Sequence, residues 1–444
     1  MGRPARQRAL ALWMNGQRVG TWHFPVRGQT ELLYDPGWIE SAEGRPISLS
    51  LPFLGDAAHR GAAVAAYFDN LLPDTSALRK KLQRRFRTAS DEPFELLSAI
   101  GRDCVGALQL LPPDETPGNF KKIEAKALSK REIESFLLQT SAASPGWDAQ
   151  QGDLRISLAG AQEKTALLLH DGKWHRPLGA TPTTHLFKLP LGLVGGSSQI
   201  DLRTSVENEW LCAQILNAFG MPVAACEIAQ FESQKALIVE RFDRVLHSSG
   251  RYWLRLPQED FCQATATPVV SKYESDGGPG ISTITNILRQ SESPLRDADI
   301  FLYAQLLFWM LAAPDGHAKN FSLHLLPRGA YRLTPLYDVI SLWPAIANKE
   351  YSEHKLKLAM GLSGVRNKHY AMKTIQRRHF NETARKIGYG LNMEHLIKDA
   401  LDRTETVIAE VETRLPKHFP TQVAEAIFKG LRQRVKSLAA QPAE

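Results

Sequence analysis

The chain has 444 residues, of which 43% are hydrophobic and 23% charged, and its net charge is +7. This length allows two or three domains, and the composition is that of an ordinary globular protein, so disorder is not the default expectation. The longest apolar stretch, residues 301–313, is shorter than the roughly 20 residues of a membrane span and predicts a buried helix. The four cysteines lack CxxC spacing, which disfavours a thiolate zinc site and fits a reduced cytoplasm.

Residues 1–115 predict a β-rich subdomain with one helical insertion. Residues 9–21, with a turn at Asn15-Gly16, are typical of a β-hairpin. Residues 63–86 predict a helix, and residues 106–111 predict a strand. The prolines and glycine at 112–118 indicate a boundary, so residues 116–150 are interpreted as a connecting segment.

Six basic residues lie together near the end of that predicted helix. They occupy positions 79, 80, 81, 84, 85 and 87, with no acidic residue between them. Leu78, Leu82 and Phe86 recur every four residues, as a core-facing stripe does. The basic cluster is therefore interpreted as the solvated face of the helix.

Residues 151–245 predict a small sheet, and residues 246–444 predict a mostly helical lobe. The predicted strands span residues 155–157, 165–170, 184–189, 226–231 and 236–240. A helix over residues 205–219 interrupts them and stops before Gly220 and Pro222. The predicted fold class is α+β.

A short polar motif directly follows the apolar helix. Asp315 and Asn320 have the D-x-x-x-x-N spacing of a protein-kinase catalytic loop, in which the acid orients a hydroxyl and the amide holds a metal. The spacing alone is weak, because Asp114 and Asn119 repeat it in a proline-rich loop. A predicted hairpin over residues 323–333 then leads to Asp338, at the interval where kinases carry a second metal-binding aspartate.

Two upstream features are consistent with phosphate binding, and each has an ordinary structural alternative. Lys188 lies in an alternating apolar strand and is either an edge-strand charge or a cation for phosphates. Glu207 and Glu209 point in different directions on the next helix, so at most one can pair with Lys188, and Glu209 is chosen; the alternative is that both are solvated. Residues 155–167, with only Gly160, form either a phosphate-binding loop or a turn with a surface Lys164.

Residues 354–386 carry nine Lys or Arg against Glu382 alone, a local charge of +8. This segment is either a footprint for the phosphates of nucleic acid or a solvated surface.

Several blocks occur in an order that resembles the HipA family of toxin kinases from bacterial toxin-antitoxin modules. They are YFDNLLPD, PFELLSAIGRDCVGALQL, SLAGAQEKTAL, TPTTHLFKLP, VERFDR, RLPQEDFCQ, KYESDGGPGI, DGHAKNFS and LTPLYDVIS. The resemblance is dense over residues 153–345. It implies a protein-kinase-like two-lobed core, with a small β-rich N-lobe and a helical C-lobe, preceded by the N-terminal subdomain. It also implies a cytoplasmic serine/threonine kinase that uses ATP and Mg²⁺.

The resemblance assigns expected roles to individual residues. Asp315 matches the catalytic aspartate, and Asn320 and Asp338 match the metal-binding pair. Ser157 matches a serine that such kinases phosphorylate on themselves, which would repel ATP from the adjacent loop. The residues expected at the nucleotide are Ala159, Gly160, Ala161, Gln162, Glu163, Lys164, Lys188, Glu240, Arg241, Phe242, His317 and Tyr337.

The resemblance also implies partners. They are a dimeric helix-turn-helix antitoxin similar to HipB, operator DNA bound through that complex, and a protein substrate such as glutamate-tRNA ligase, without a membrane. The candidate DNA contacts are Lys373, Arg377, Arg378 and Arg385. One alternative is a DNA-bound co-repressor whose kinase site is silent. A kinase for lipids or small molecules fits the D-x-x-x-x-N spacing but not the blocks above.

Overall fold

A computed structural model of the chain describes residues 8–25, 28–141, 156–160, 162–194 and 199–443. Within these residues, no helix combines the length and the apolar character that crossing a membrane requires.

The N-terminal subdomain is an antiparallel sheet of order β4-β3-β2-β1-β5 with helices packed on it. Its strands are β1 (Arg8–Met14), β2 (Gln17–Phe24), β3 (Glu31–Tyr34), β4 (Ala58–Arg60) and β5 (Leu108–Leu111). Its helices are α1 (Pro36–Glu40), α2 (Ala62–Asp69), α3 (Ser76–Phe86) and α4 (Pro93–Ile100). The predicted hairpin is confirmed, since β1 pairs with β2 across Asn15 and Gly16, which both have positive φ. Inside the subdomain Trp22 stacks on Phe68, with ring centroids 3.9 Å apart.

The prediction of one helix over residues 63–86 is wrong, because the chain forms two helices with a break between them. Pro73 lies in the break, and proline both lacks an amide donor and forces the preceding residue out of the helical region. Thr75 then caps α3 by accepting a hydrogen bond from the Leu78 amide at 3.3 Å. The break brings residues 70–74 toward the centre of the molecule.

The middle of the chain forms a sheet of order β12-β13-β9-β7-β8-β6. Its strands are β6 (Ala125–Ala127), β7 (Lys164–His170), β8 (Lys173–Pro177), β9 (His185–Lys188), β12 (Cys226–Phe231) and β13 (Gln234–Glu240), and a separate hairpin joins β10 (Gly192–Val194) to β11 (Ile200–Leu202). The helices are α5 (Lys130–Ser141) and α6 (Ser205–Ala218). The segment expected to connect two domains therefore contributes a strand and a helix to this sheet.

One predicted strand is not formed by the residues that can be described. Arg155 lies outside the described residues, and Ile156 makes only an isolated bridge to Asp103. The strands predicted at 165–170, 184–189, 226–231 and 236–240 are confirmed to within two residues.

The rest of the described chain is mostly helical, with three small antiparallel sheets, β14-β15, β16-β17-β18 and β19-β20. The helices are α7 (Phe261–Ala264), α8 (Ile281–Leu288), α9 (Pro294–Met310), α10 (Trp343–Ala347), α11 (Arg377–Lys386), α12 (Glu394–Arg414) and α13 (Thr421–Ala439). The strands are β14 (Arg244–Leu246), β15 (Trp253–Arg255), β16 (Gln258–Asp260), β17 (Ser322–Leu325), β18 (Tyr331–Leu333), β19 (Lys357–Ser363) and β20 (Lys368–Ala371). Residues 301–310 of α9 are all buried, which explains the apolar sequence of this part of the helix.

A buried ion cluster joins the N-terminal subdomain to the two other parts. Asp103 accepts hydrogen bonds from Arg255 and Arg244, each at 3.0 Å, and from the Thr183 hydroxyl at 2.7 Å. Arg241 approaches the same carboxylate at 3.4 Å. Burial alone would raise the pKa of Asp103, but the three guanidinium groups outweigh it and hold the pKa far below its usual range. The cluster therefore fixes the subdomain beside the segment that follows β13.

Candidate active site

A cavity between the six-stranded sheet and the helical lobe brings together most of the site residues predicted from the sequence. It is also lined by Asn70, Leu71 and Asp74 of the N-terminal subdomain. The predicted residues that line it are Ala159, Gly160, Lys164, Lys188, Glu240, Arg241, Phe242, Asp315, His317, Asn320, Tyr337 and Asp338.

Lys188 lies at the centre of a buried charge triad. Its Nζ is 2.6 Å from Glu209 Oε1 and 2.8 Å from Asp338 Oδ1. Burial alone would lower the pKa of Lys188, but the charges of Asp338 and Glu209 raise it above the ordinary value. Strand β9 lies between β13 and β7, so the alternative of an edge-strand charge is excluded.

Glu207 and Glu209 point in different directions, as their spacing on α6 predicts. Glu207 pairs with Lys235 on β13, whereas Glu209 pairs with Lys188. Both carboxyl groups are buried, so the alternative that both are solvated is wrong. Burial raises the pKa of Glu209 to about 7, although the neighbouring Lys188 acts in the opposite direction.

Lys164 turns into the cavity, so its interpretation as a surface lysine on a turn is wrong. The backbone of Lys164 on β7 lies directly opposite that of Lys188 on β9. Gly160 has a φ of +107°, and a Cβ atom there would lie 2.6 Å from the Lys164 ammonium nitrogen. Burial lowers the pKa of Lys164, with the charge of Asp338 opposing that shift. The glycine therefore leaves room for a second cation beside Lys188.

The other loop residues predicted at the nucleotide do not line the cavity, or cannot be described. Gln162 donates to the Leu189 carbonyl at 2.5 Å, and Glu163 pairs with Lys81 of α3 at 2.6 Å. Ala161 lies outside the described residues. One residue of the basic cluster on α3 is thus engaged with the loop and is not simply solvated.

In the segment that follows α9, the polar residues Asp315, His317 and Asn320 are held by hydrogen bonds to the backbone. The Asn320 side-chain amide donates to the backbone carbonyl of Asp315 at 2.5 Å, which directs the Asn320 side-chain oxygen elsewhere. His317 donates its backbone amide to the same carbonyl at 2.8 Å. Asp315 itself keeps 56% of its side chain exposed. The loop thus uses backbone bonds to present a carboxylate and an amide oxygen.

His317 is buried, and its Nε2 lies 3.6 Å from Asp315 Oδ1. Burial lowers the pKa of His317 although the Asp315 charge opposes this, so the imidazole is neutral near pH 7. A neutral imidazole has one N–H donor and one nitrogen acceptor, which suits a residue that orders the loop by hydrogen bonding.

Asp338 has a left-handed φ of +62°, directly after Tyr337. Tyr337 bonds with the Ser322 hydroxyl at 2.5 Å and donates to the Lys319 carbonyl at 3.0 Å, which ties Asp338 to the catalytic-loop motif. Burial alone would raise the pKa of Asp338, but Lys188 and Lys164 hold it far below its usual range. Asp338 is therefore an ionised carboxylate.

The oxygen atoms of Asn320 and Asp338 fit Mg²⁺, which favours oxygen ligands and completes its shell with phosphates and water. In the part of the chain that the structure describes, no cluster of three or more His, Cys, Asp or Glu could hold a metal without such help. Asn320 and Asp338 each offer an oxygen ligand to such an ion.

The segment after β13 is held from both sides. The backbone amides of Glu240 and Arg241 donate to the carbonyls of Ala225 and Thr184, at 2.8 and 2.9 Å. The Arg241 side chain is committed to the ion cluster around Asp103. Phe242 lies 5.7 Å from Tyr337 between ring centroids. These two rings offer an apolar surface to a nucleotide base.

Ser157 is fully buried and does not line the cavity. Its hydroxyl donates to the Leu71 carbonyl at 2.7 Å, and its amide donates to the Asp103 carbonyl at 3.1 Å. In this arrangement, the hydroxyl is held by the N-terminal subdomain and is not presented to Asp315.

The predicted DNA contacts on and near α11 differ in availability. Arg377 pairs with Glu394, and its backbone amide donates to the Gln441 side chain at 2.6 Å. Its guanidinium is therefore occupied within the fold. Lys373, Arg378 and Arg385 are exposed, although Arg385 also pairs with Glu382.

Sequence reasoning missed the contribution of the N-terminal subdomain. Lys319 donates to the Asn70 carbonyl at 3.1 Å and lies 3.1 Å from Asp74. Lys272 pairs with Asp74 at 2.8 Å, and Tyr273 donates a hydrogen bond to Asp315. The blocks YFDNLLPD and KYESDGGPG carried the signal, but no role was assigned to their side chains.

Comparisons with known proteins match most of the chain to one family. A family model described as the HipA N-terminal domain matches residues 10–111, and one described as the HipA-like C-terminal domain matches residues 156–418. Protein Y4mE of Sinorhizobium fredii is 30% identical over 413 residues, covering 91% of this chain and 92% of that protein.

Two comparisons involve Shewanella oneidensis. The serine/threonine-protein kinase toxin HipA of strain MR-1 is 26% identical over 374 residues, covering 81% of this chain and 79% of that protein. A solved complex of HipA, HipB and operator DNA from the same organism contains a chain that superposes with a TM-score of 0.77 at 23% identity, covering 97% of both chains. The latter shows a shared fold and confirms the predicted α+β class.

Proposed function

The chain belongs to the HipA family, and from that premise we propose that it is a toxin serine/threonine-protein kinase that transfers the γ-phosphoryl group of ATP to a protein hydroxyl. The observation that carries the proposal is the meeting of Lys188, Asp338, Asn320 and Asp315 around one cavity. Phosphoryl transfer requires alignment and charge neutralisation more than covalent help, and these four residues offer both.

The proposed mechanism divides the work between the cations and the carboxylates. Lys188 binds the α and β phosphates, and Glu209 holds its ammonium group in place. Bound Mg²⁺, held by the oxygens of Asn320 and Asp338, would supply further neutralisation of the phosphate charge. Asp315 orients the incoming hydroxyl and accepts its proton as the new P–O bond forms and the bond to ADP breaks.

We propose that Ser157 is a site of self-phosphorylation, as the family resemblance implies. Its hydroxyl donates to the Leu71 carbonyl, so the phosphate loop must leave the N-terminal subdomain before the serine can react. A phosphate there could not return to this buried position, because a dianion would face a backbone carbonyl and lose its hydration. The modified loop would then no longer hold ATP.

The proposed partners follow from the family. The related Shewanella protein was solved with HipB and operator DNA, and we propose that this chain likewise binds a dimeric helix-turn-helix antitoxin and represses its operon through the complex. Exposed Lys373, Arg378 and Arg385 support contact with the DNA backbone. We propose a cytoplasmic translation component, such as glutamate-tRNA ligase, as the substrate.

The alternative is a co-repressor whose kinase site is silent. The presence of Lys188, Asp315, Asn320 and Asp338 in one cavity favours the active enzyme, since a silent partner would be free to lose at least one of them.

The test of the proposed function is a transfer assay with γ-labelled ATP and the purified chain. We expect Asp315→Gln to abolish labelling of protein while its circular dichroism spectrum stays that of the wild type. The matched control is Asp114→Gln, which alters an exposed aspartate in the same D-x-x-x-x-N spacing that does not line the cavity, and it should retain full transfer. Equal transfer by Asp315→Gln and wild type would refute the assigned role.

The protein substrate can be found with the same pair of proteins. A cell lysate is incubated with ATP and either wild type or Asp315→Gln, and phosphopeptides are compared by mass spectrometry. A phosphoserine or phosphothreonine that requires Asp315 supports the kinase and identifies its target. Its absence, together with no label on Ser157, supports the silent co-repressor.

A further inference from the structure

Three consecutive residues, Lys272, Tyr273 and Glu274, connect the candidate catalytic loop to two other parts of the molecule. Lys272 pairs with Asp74 of the N-terminal subdomain at 2.8 Å. The Glu274 carboxylate accepts a hydrogen bond from the backbone amide of Gly361 on β19 at 2.7 Å. Tyr273 lies between these two anchors and extends to the cavity. The two flanking side chains therefore fix the backbone on either side of the tyrosine.

Tyr273 makes direct contact with the proposed catalytic carboxylate. Its hydroxyl donates a hydrogen bond to Asp315 Oδ1. Its ring meets His317 edge to face, with centroids 5.0 Å apart. The backbone amide of Ala318 donates to the Lys272 carbonyl at 3.4 Å, which joins residues 272–274 to the candidate catalytic loop. Burial and the charge of Asp315 raise the pKa of Tyr273, so its hydroxyl remains a donor at neutral pH.

The same carboxylate must receive a substrate hydroxyl if the proposed function is correct. An acceptor serine or threonine reacts only when its O–H group donates to Asp315, because the acid then takes the proton during transfer. Tyr273 already supplies an O–H donor to that oxygen. The phenol group fills space beside Oδ1, so an acceptor hydroxyl that uses this oxygen from the same side competes with Tyr273 for that space.

We propose that Tyr273 occupies the place of the acceptor hydroxyl on Asp315, so that a serine or threonine substrate must displace it before phosphoryl transfer. This inference rests on the proposed kinase function and adds to it a residue that controls acceptor access. Because Lys272 and Glu274 anchor the backbone, displacement requires rotation of one half-buried side chain and not unfolding of the segment.

Replacing Tyr273 by phenylalanine tests the inference, because this change removes the hydroxyl and keeps the ring. The matched control is Tyr370→Phe, since the Tyr370 hydroxyl donates to Glu274 of the same segment at 3.2 Å and does not touch Asp315. Two acceptors are followed with γ-labelled ATP, namely water, by release of phosphate, and the chain itself, by incorporation of label. The affinity for a non-hydrolysable ATP analogue with Mg²⁺ is measured by calorimetry.

We expect Tyr273→Phe to accelerate transfer to both acceptors by about tenfold, the effect of removing one hydrogen bond to a charged group. Analogue affinity and the KM for ATP should stay within about twofold of wild type. Tyr370→Phe should behave as wild type. Transfer by Tyr273→Phe where wild type is silent would support the inference still more strongly.

Other outcomes overturn it. If Tyr273→Phe is as slow as wild type or slower, while wild-type transfer depends on Asp315, the tyrosine is no obstacle and the proposed function still stands. If both tyrosine variants accelerate equally, general loosening of the segment replaces the inference. If wild type and both variants transfer nothing, the inference and the proposed function fail together.

Discussion

Lys188 is shared by two carboxylates whose pKa values move in opposite directions. Burial raises the pKa of Glu209 to about 7. Burial would also raise the pKa of Asp338, but Lys188 and Lys164 outweigh it and keep that carboxylate ionised. We expect Asp338 to exchange its contact with Lys188 for the metal when nucleotide binds, and Glu209 to keep the ammonium in place.

Because only Glu209 contacts Lys188, we predict different effects of substituting the two glutamates of α6. Glu209→Gln removes the charge that holds Lys188, and it should lower the rate of phosphoryl transfer by about 10-fold to 100-fold, the typical cost of misplacing a binding group. Glu207→Gln removes an equally buried carboxylate that pairs with Lys235 on the far side of the helix, so transfer should persist. Steady-state assays of both variants make the comparison, and equal losses would contradict it.

The candidate site could be predicted from sequence only where spacing restricts geometry. Helical spacing shows that Glu207 and Glu209 cannot both face Lys188, but it does not decide which one does. The D-x-x-x-x-N motif indicated Asp315 and Asn320, whereas the contact of Tyr273 with Asp315 joins residues 42 positions apart and leaves no periodic signal.

At the scale of elements, α11 separates residues that stabilise the fold from residues available to DNA. We expect Arg377→Ala to destabilise the protein by about 1 to 3 kcal/mol, because it leaves Glu394 without its guanidinium partner. Arg378→Ala should leave stability unchanged, since that side chain is exposed. Urea unfolding measures both effects.

The Arg378→Ala variant has a second readout in the antitoxin complex. Arg378→Ala should weaken binding to operator DNA across sequences and reduce the slope of log affinity against log salt by about one for a lost phosphate contact. Salt-dependent fluorescence anisotropy measures this slope. An unchanged slope would remove Arg378 from the proposed DNA surface.

The ion cluster around Asp103 predicts a large loss of stability. Asp103→Asn keeps the size of the side chain but leaves buried arginines with less compensating charge, which should cost about 3 to 5 kcal/mol. The control Glu115→Gln breaks a more exposed pair with Arg102 and should cost under about 1 kcal/mol.

The same cluster predicts a dependence of folding stability on pH. The pKa of Asp103 is lowered in the folded state, so its contribution to the stability of the fold is present above about pH 4 and is lost as the pH falls toward that lowered value. Urea unfolding at pH 7 and in acid tests this, and equal losses in the two variants would contradict it.

Helix α6 was predicted to within one residue, whereas the helix predicted at residues 301–313 is α9, which begins earlier, at Pro294, and ends at Met310. Strand β8 was missed because its sequence KWHRP has little apolar alternation. The signal that could have found it was Asp171-Gly172, a two-residue turn in which both residues have positive φ and which joins β7 to β8. The break between α2 and α3 was likewise marked by Pro73, which helical periodicity alone ignores.

At the scale of the whole molecule, the N-terminal subdomain is part of the candidate site. Asn70 and Asp74 hold Lys319, about 250 residues later in the chain, and Leu71 holds Ser157. Such contacts depend on how three parts of the chain meet, and local sequence patterns do not encode that arrangement. The division at residues 115, 150 and 245 therefore remains a proposal for the chain's units, although the functional site spans them.

The central claim is that Lys188, Asp315, Asn320 and Asp338 surround the triphosphate of ATP and its Mg²⁺. The most direct measurement is a calorimetric titration of a non-hydrolysable ATP analogue into wild type and into Asp338→Asn, each with and without Mg²⁺. We predict that Mg²⁺ strengthens binding to wild type at least about tenfold and that Asp338→Asn loses most of this gain, since the charge of one metal ligand is gone. Binding that is equally strong with and without Mg²⁺, and equal in the two proteins, would contradict the account.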